Sequence, residues 1–89
     1  MIGLAWYRSE QWHRLRQVSA DVKDLEESYF EWVSFASARL VEFQALGLDV
    51  RKVDVDVDDL VEWCKQRGLA VDAEARAQYV TEKIAHGRS

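Results

Sequence analysis

The sequence predicts a small, mainly helical α+β domain, and three observations predict it. The 89 residues fit one domain. Apolar and other residues alternate with period two at Ile2–Tyr7 and again at Val53–Val57, the pattern of short strands. Between and after those segments apolar residues recur at helical spacing, with Gly47 and Gly68 placed where helices end. The expected order is strand, helix, helix, strand, helix, helix, with a long central helix over 21–46.

In the first strand Ile2, Leu4 and Trp6 form a large apolar face, while Gly3, Ala5 and Tyr7 form one of mostly small residues. Ser9 offers an N-cap to a first helix over 10–18, with Trp12 and Leu15 on its buried side. Glu10 in its first turn and Arg14 and Arg16 in its last complement the helix dipole.

A second helix is expected from Asp21 to Leu46, about 39 Å long at 1.5 Å per residue. Val22, Leu25, Tyr29, Trp32, Ala36 and Phe43 make one apolar stripe on it, and Phe30, Val33, Leu40 and Val41 make another. Two stripes predict packing on two sides, and hence a central spine.

The second strand, Val53 to Val57, has Asp54 and Asp56 on its solvent side. Asp56 caps the helix that follows, Asp58 and Asp59 occupy its positive first turn, Lys65 and Arg67 its last, and Gly68 ends it. Val57, Leu60, Val61 and Cys64 face inward. Asp72 caps a fourth helix carrying Ala73, Ala77, Val80 and Ile84, and the tail from His86 to Ser89 is expected to fray. No proline or flexible linker divides the chain. An offset of 51 does lay Ile2 on Val53, Trp12 on Trp63 and Asp21 on Asp72, which raises an internal duplication with halves near 1–46 and 50–86.

Sixteen acids against twelve bases give a net charge of −4, which opposes phosphate binding and suits a partner with a basic surface. The single cysteine, Cys64, excludes an internal disulfide and a cysteine-rich zinc site, and fits a reducing, cytoplasmic setting. The apolar run Ile2 to Tyr7 lacks a basic flank and is too short for a signal sequence or a span, so no membrane association is expected.

The acidic run Asp54, Asp56, Asp58, Asp59, Glu62 resembles the start of a calcium loop, but Asp59 stands where the turn needs glycine and Lys65 where the closing carboxylate belongs. No metal or other cofactor is therefore expected. Cys64 lies on the inward face with Leu60 and Val61, which marks a buried, inert thiol, and no catalytic set emerges around it, His13 or His86. Helix three, Gly68-Leu69 and helix four resemble the helix-loop-helix outline of SAP-like and helix-turn-helix modules. The helix in the recognition position, however, offers only Arg76 as a basic side chain near its start.

Of the four tryptophans, Trp6, Trp12 and Trp32 fall on buried stripes, and Trp63 is the candidate for partner contact, together with Asp54 and Asp56. Through Ile2-Gly3-Leu4-Ala5-Trp6-Tyr7 and the run from Val53-Asp54-Val55-Asp56 through Trp63-Cys64 to Gly68-Leu69, the chain resembles a family of short uncharacterised bacterial proteins. That resemblance implies a bacterial cytosolic setting and no activity. The functional expectation is a non-enzymatic protein-interaction or self-associating module, a homodimer joined through a strand edge. The alternatives are a nucleic-acid-binding module built on helices three and four, and a small enzyme.

Overall fold

The computed structural model describes residues 2–86 and has a mainly helical α+β fold, 64% helical with one small sheet. Its elements are β1 (Ile2–Trp6), α1 (Trp12–Val18), α2 (Tyr29–Ala45), β2 (Val50–Asp54), α3 (Val57–Arg67) and α4 (Ala73–His86). Beyond His86, the expected frayed tail lies outside the described residues.

The two strands pair in parallel, with Ile2 opposite Val50 and Trp6 opposite Asp54. A parallel pair needs a long crossover, which α1 and α2 supply. Gly3 sits so close to α4 that a Cβ there would run into Ile84 Cδ1 and approach Val80 Cγ1 to 2.9 Å. The small-residue face of β1 is therefore the surface on which α4 seats.

The core gathers Tyr7, Trp12, Leu15, Val55, Val57, Leu60, Cys64, Val71, Ala75 and Val80. Leu15 and Leu60 are fully buried, and each such side chain contributes about 1.5–3 kcal/mol relative to exposure. Capping follows the expected chemistry in the second half. Asp56 accepts from the amides of Asp58 and Asp59 at 2.9 and 3.2 Å, Gly68 ends α3 at φ 65°, and Asp72 accepts from Ala75 N at 2.9 Å.

Three expectations are corrected. Ser9 caps nothing: it opens a 3-10 turn, Ser9–Gln11, that leads into α1. The strand read at 53–57 lies instead at Val50–Asp54. The alternation of Val and Asp continues past the sheet because Val55 and Val57 are also buried, but Asp56 is the cap at which the backbone turns into α3.

The long helix is also broken. Only a 3-10 turn forms at Val22–Asp24, Leu25 is extended, and α2 begins at Tyr29 behind Ser28, whose Oγ accepts from Glu31 N at 3.2 Å. Ser28 and Glu31 carry the S-x-x-E capping pattern, with the Ser28 hydroxyl also donating to Glu31 Oε1 at 3.3 Å, a stronger start than an aspartate whose carboxylate is engaged elsewhere. With 17 residues α2 spans about 25 Å. It is no spine, because it has no buried residue. Its first stripe packs inward through Trp32, whereas Phe30 and Val41 of the second stripe are 80% and 63% exposed. Asp21 and the preceding segment are held by the other half of the chain, through a parallel bridge of Ser19 with Val71 and a bond from Ala20 N to Val71 O of 2.8 Å.

Candidate functional site

The pairing of β1 and β2 dictates where the sheet is incomplete. Ile2 N donates to Asp49 O at 2.8 Å, and Val55 N donates to Trp6 O at 3.0 Å. In a parallel ladder, residues that serve the partner strand alternate with residues whose N–H and C=O point away from it. Ile2, Leu4 and Trp6 thus serve β2, while Gly3 and Ala5 turn their main-chain groups to the opposite edge. Among the described residues the sheet has no third strand there, and no hydrogen bond joins those groups to any of them.

That edge opens into a cavity of about 360 Å³. Consecutive strand residues point to opposite faces, so a cavity lined by Gly3, Leu4 and Ala5 together follows the edge of β1 rather than a face of the sheet. Trp32, Phe35, Ala36 and Arg39 of α2 form one wall and Ala73, Arg76, Ala77 and Val80 of α4 the other. Tyr7, Trp12, Leu25 and Glu26 also line it. The result is a slot between two helices with unpaired backbone along its floor.

The aromatic wall is preorganised. Trp32 is the hub, with ring centroids 5.2 Å from Trp6, 5.2 Å from Trp12, 5.4 Å from Tyr7 and 5.6 Å from Tyr29. The Trp12 indole donates to Glu26 O at 3.2 Å, which fastens the irregular segment after the 3-10 turn against the rings. Such packing fixes ring positions at little entropic cost on binding.

A charged pair stiffens the α4 side. Arg76 grips Asp21 with two parallel bonds, Nη1 to Oδ1 at 2.9 Å and Nη2 to Oδ2 at 2.6 Å, and Nη1 also reaches Ser19 Oγ at 3.4 Å. Hydrogen bonding to Arg76 holds the Asp21 carboxyl below its ordinary value. Burial is the largest influence on Arg76 and opposes its charge, but the bond to Asp21 together with the charges of Tyr7, Asp21 and Asp72 outweighs it and raises the guanidinium's pKa. Tyr7 is only 4% exposed; burial, opposed by Arg76 and reinforced by Asp21, pushes its phenol up to about 12. Its hydroxyl makes no hydrogen bond to another described residue.

The residues nominated from sequence lie elsewhere. Asp54 is exposed, and Asp56 is partly buried as the cap of α3. Arg8 stands 4.0 Å from Asp54 and 3.9 Å from Asp56, and Arg14 Nε donates to Asp58 at 3.4 Å, so part of the acidic charge is already met. Trp63 is partly buried, edge-on to Tyr79 at 5.7 Å, with the Arg67 guanidinium 4.3 Å from its ring centroid. Tyr79 links the groups: burial and then Asp59, Asp56 and Asp54 raise its pKa. Asp54, Asp56 and Trp63 therefore border one acidic and aromatic surface, apart from the slot. Among the described residues no three His, Cys, Asp or Glu side chains are arranged to hold a metal.

Cys64 is buried in the core, its thiol pushed up by burial and by Asp72. Neither Cys64 nor His13 lines the slot. Sequence reasoning missed Gly3, Ala5, Arg39 and the pair of Arg76 with Asp21. The one signal present was the small-residue alternation of β1. Among the described residues no helix is long and apolar enough to cross a membrane. No family model, curated protein or solved structure matches the chain.

Proposed function

We propose that this protein is a non-enzymatic protein-interaction module that receives an extended segment of a partner as a third strand on β1. One observation carries the reading: the N–H and C=O groups of Gly3 and Ala5 face a preformed, aromatic-walled slot with no described residue bonded to them. Exposed strand edges are templates for added strands, and main-chain pairing supplies affinity while side-chain pockets supply selectivity. The opposite edge of the sheet, on β2, carries the exposed cations Arg51 and Lys52, the usual protection against such pairing. α2 and α4 stand on both sides of this edge, which favours an extended segment without flanking helices over the β1 strand of a second copy.

Ala5→Pro tests the reading. The Ala5 N–H plays no part in the ladder to β2, so proline, tolerated on strand edges, removes only an outward donor. Heptapeptides selected from a random library by the parent protein should protect the Gly3 and Ala5 amides from hydrogen exchange. They should bind the proline variant at least about tenfold more weakly, the loss expected when one main-chain bond of a short ladder is removed and its partner left unpaired. Selected peptides that leave those amides unprotected, or that bind a folded proline variant equally well, would refute it.

A second reading concerns self-association, and the outer face of α2 favours it. Phe30, Ser34, Ser37, Val41 and Ala45 follow one another at helical spacing without a charged residue among them. A second copy laid antiparallel would set Phe30 against Ala45 and Ser34 against Val41, large against small. Sedimentation at micromolar concentration should then give twice the 10.3 kDa chain mass, and Val41→Glu should return the monomer. A monomeric parent protein would end this reading and leave the first untouched. The nucleic-acid alternative gains nothing from α3 and α4, since Arg76, the basic side chain near the start of α4, is committed to Asp21.

A further inference from the structure

The slot has a direction, and its walls differ along it. Trp32 lies beside the carboxyl end of β1, touching Trp6 and Tyr7. Arg39 is seven residues further along α2, about 10 Å at the helical rise, and the helix runs back toward the start of β1 because its end leads into β2 at Val50, the partner of Ile2. The wall above the floor therefore changes from rings to a cation, with Phe35 between.

Arg39 is exposed and makes no ion pair with any described residue. Arg76, across the slot, is already neutralised by Asp21. Glu26 belongs to the far end, where its carbonyl is bound by Trp12. A strand hydrogen-bonded to Gly3 and Ala5 directs every second side chain toward α2, at intervals of about 6.6–6.8 Å. Two successive side chains on that side then fall beside Phe35 with Trp32 and beside Arg39.

We propose that the segment received by β1 is an extended stretch in which a large apolar residue and an acidic residue stand two positions apart, the apolar side chain against Trp32 and Phe35 and the carboxylate against Arg39. This rests on the third-strand reading above and names its partner. The acidic residue binds at the end of the slot nearer Gly3. An amide there has no charge to meet Arg39, and a lysine meets a like charge.

The test uses fluorescein-labelled heptapeptides, Thr-Val-Phe-Ala-Asp-Val-Thr with blocked ends and the same sequence in reverse order, read by anisotropy against the intact protein. In the better-bound order, asparagine in place of aspartate should weaken binding about three- to fivefold, the range of a rim ion pair, and lysine should weaken it further. The preference should shrink as salt is raised. Arg39→Glu should reverse it, so that the lysine peptide binds the variant better than the aspartate peptide.

Two N-methylated analogues separate the proposal from the reading beneath it. One is methylated at alanine, the other at phenylalanine and aspartate. Since strand residues alternate in the edge they present, one analogue should lose binding and the other keep it. If that alternation is found but the aspartate, asparagine and lysine peptides bind alike, the acidic preference is wrong and the third strand stands. If both analogues bind as the parent peptide does, or no peptide binds at millimolar concentration, both fall.

Discussion

Replacing Gly3 by alanine adds one methyl group at the tightest point between sheet and helix. A Cβ at Gly3 overlaps Ile84 Cδ1, lies 2.9 Å from Val80 Cγ1 and 3.2 Å from Val53 Cγ2. Ile84 presents the far end of a flexible side chain and can turn aside. Val80 is 4% exposed and β-branched on a helix, where one χ1 rotamer dominates, so it yields only if α4 moves off the strand. Overpacking of this kind costs about 1–3 kcal/mol. The loss of glycine's freedom in the unfolded chain offsets about 0.4–1 kcal/mol of that. The net expectation is a destabilisation of about 1–2 kcal/mol. In urea, with a slope of about 1 kcal/mol per molar for a domain this small, the midpoint should fall by about 1–2 M with the slope unchanged. The double variant Gly3→Ala, Val80→Ala should be less destabilised than the sum of the two single changes, because each relieves the other. A Gly3→Ala protein as stable as the parent, or strict additivity of the pair, would refute the seating of α4 on β1.

Three further outcomes follow from the burial of ionisable groups. Asp21 is held below the ordinary carboxylate range by Arg76, so the native state binds fewer acid protons than the unfolded one. The stability it contributes is present above about pH 4 and is lost as pH falls through the folded value; Asp21→Asn should flatten the acid limb of the stability curve, and Arg76→Ala should cost about 2–3 kcal/mol by leaving a largely buried carboxylate unpaired. Tyr7 shifts the other way: with its phenol at about 12 against 10 when unfolded, on the order of 3 kcal/mol drains away as pH rises from about 10 to about 12, and phenolate absorbance should show one of the three tyrosines ionising together with unfolding. Tyr7→Phe should remove that alkaline slope with little change at neutral pH, because the hydroxyl has no partner among the described residues to lose. Cys64 should react slowly with thiol reagents in the folded protein, and Cys64→Ala should cost about 1 kcal/mol; labelling as fast as that of an exposed thiol would contradict its burial.

The second half of the chain was legible because its signals are local. Asp56, Gly68 and Asp72 act within a few residues of themselves, and capping chemistry read along the sequence finds them where they act. The first half misleads where a side chain answers to a distant partner. Asp21 has the chemistry of a cap, but Arg76, 55 residues away, claims its carboxylate, and the helix waits for Ser28. The S-x-x-E pattern at Ser28 and Glu31 was present in the sequence and was hidden by an apolar periodicity that runs unbroken through it. The slot was not legible at all. It exists only because β1 pairs in parallel with β2 and two helices flank the remaining edge, and nothing near Gly3 or Arg39 in sequence announces that they border one space.

The parallel pairing also governs how the chain reaches its fold. Ile2 meets Val50, Ser19 meets Val71 and Asp21 meets Arg76, so each of these ties closes a loop of about half the molecule or more. Closing such loops spends chain entropy before any strand bond is made, and rates fall as contacts become more distant in sequence. The α3 and α4 pair, whose contacts are near neighbours, can assemble early; β1 joins only when β2 is in place. Until then the small apolar face of β1 has neither α4 beneath it nor a ladder beside it, and how long it stays uncovered is set by topology rather than by the stability of the finished protein.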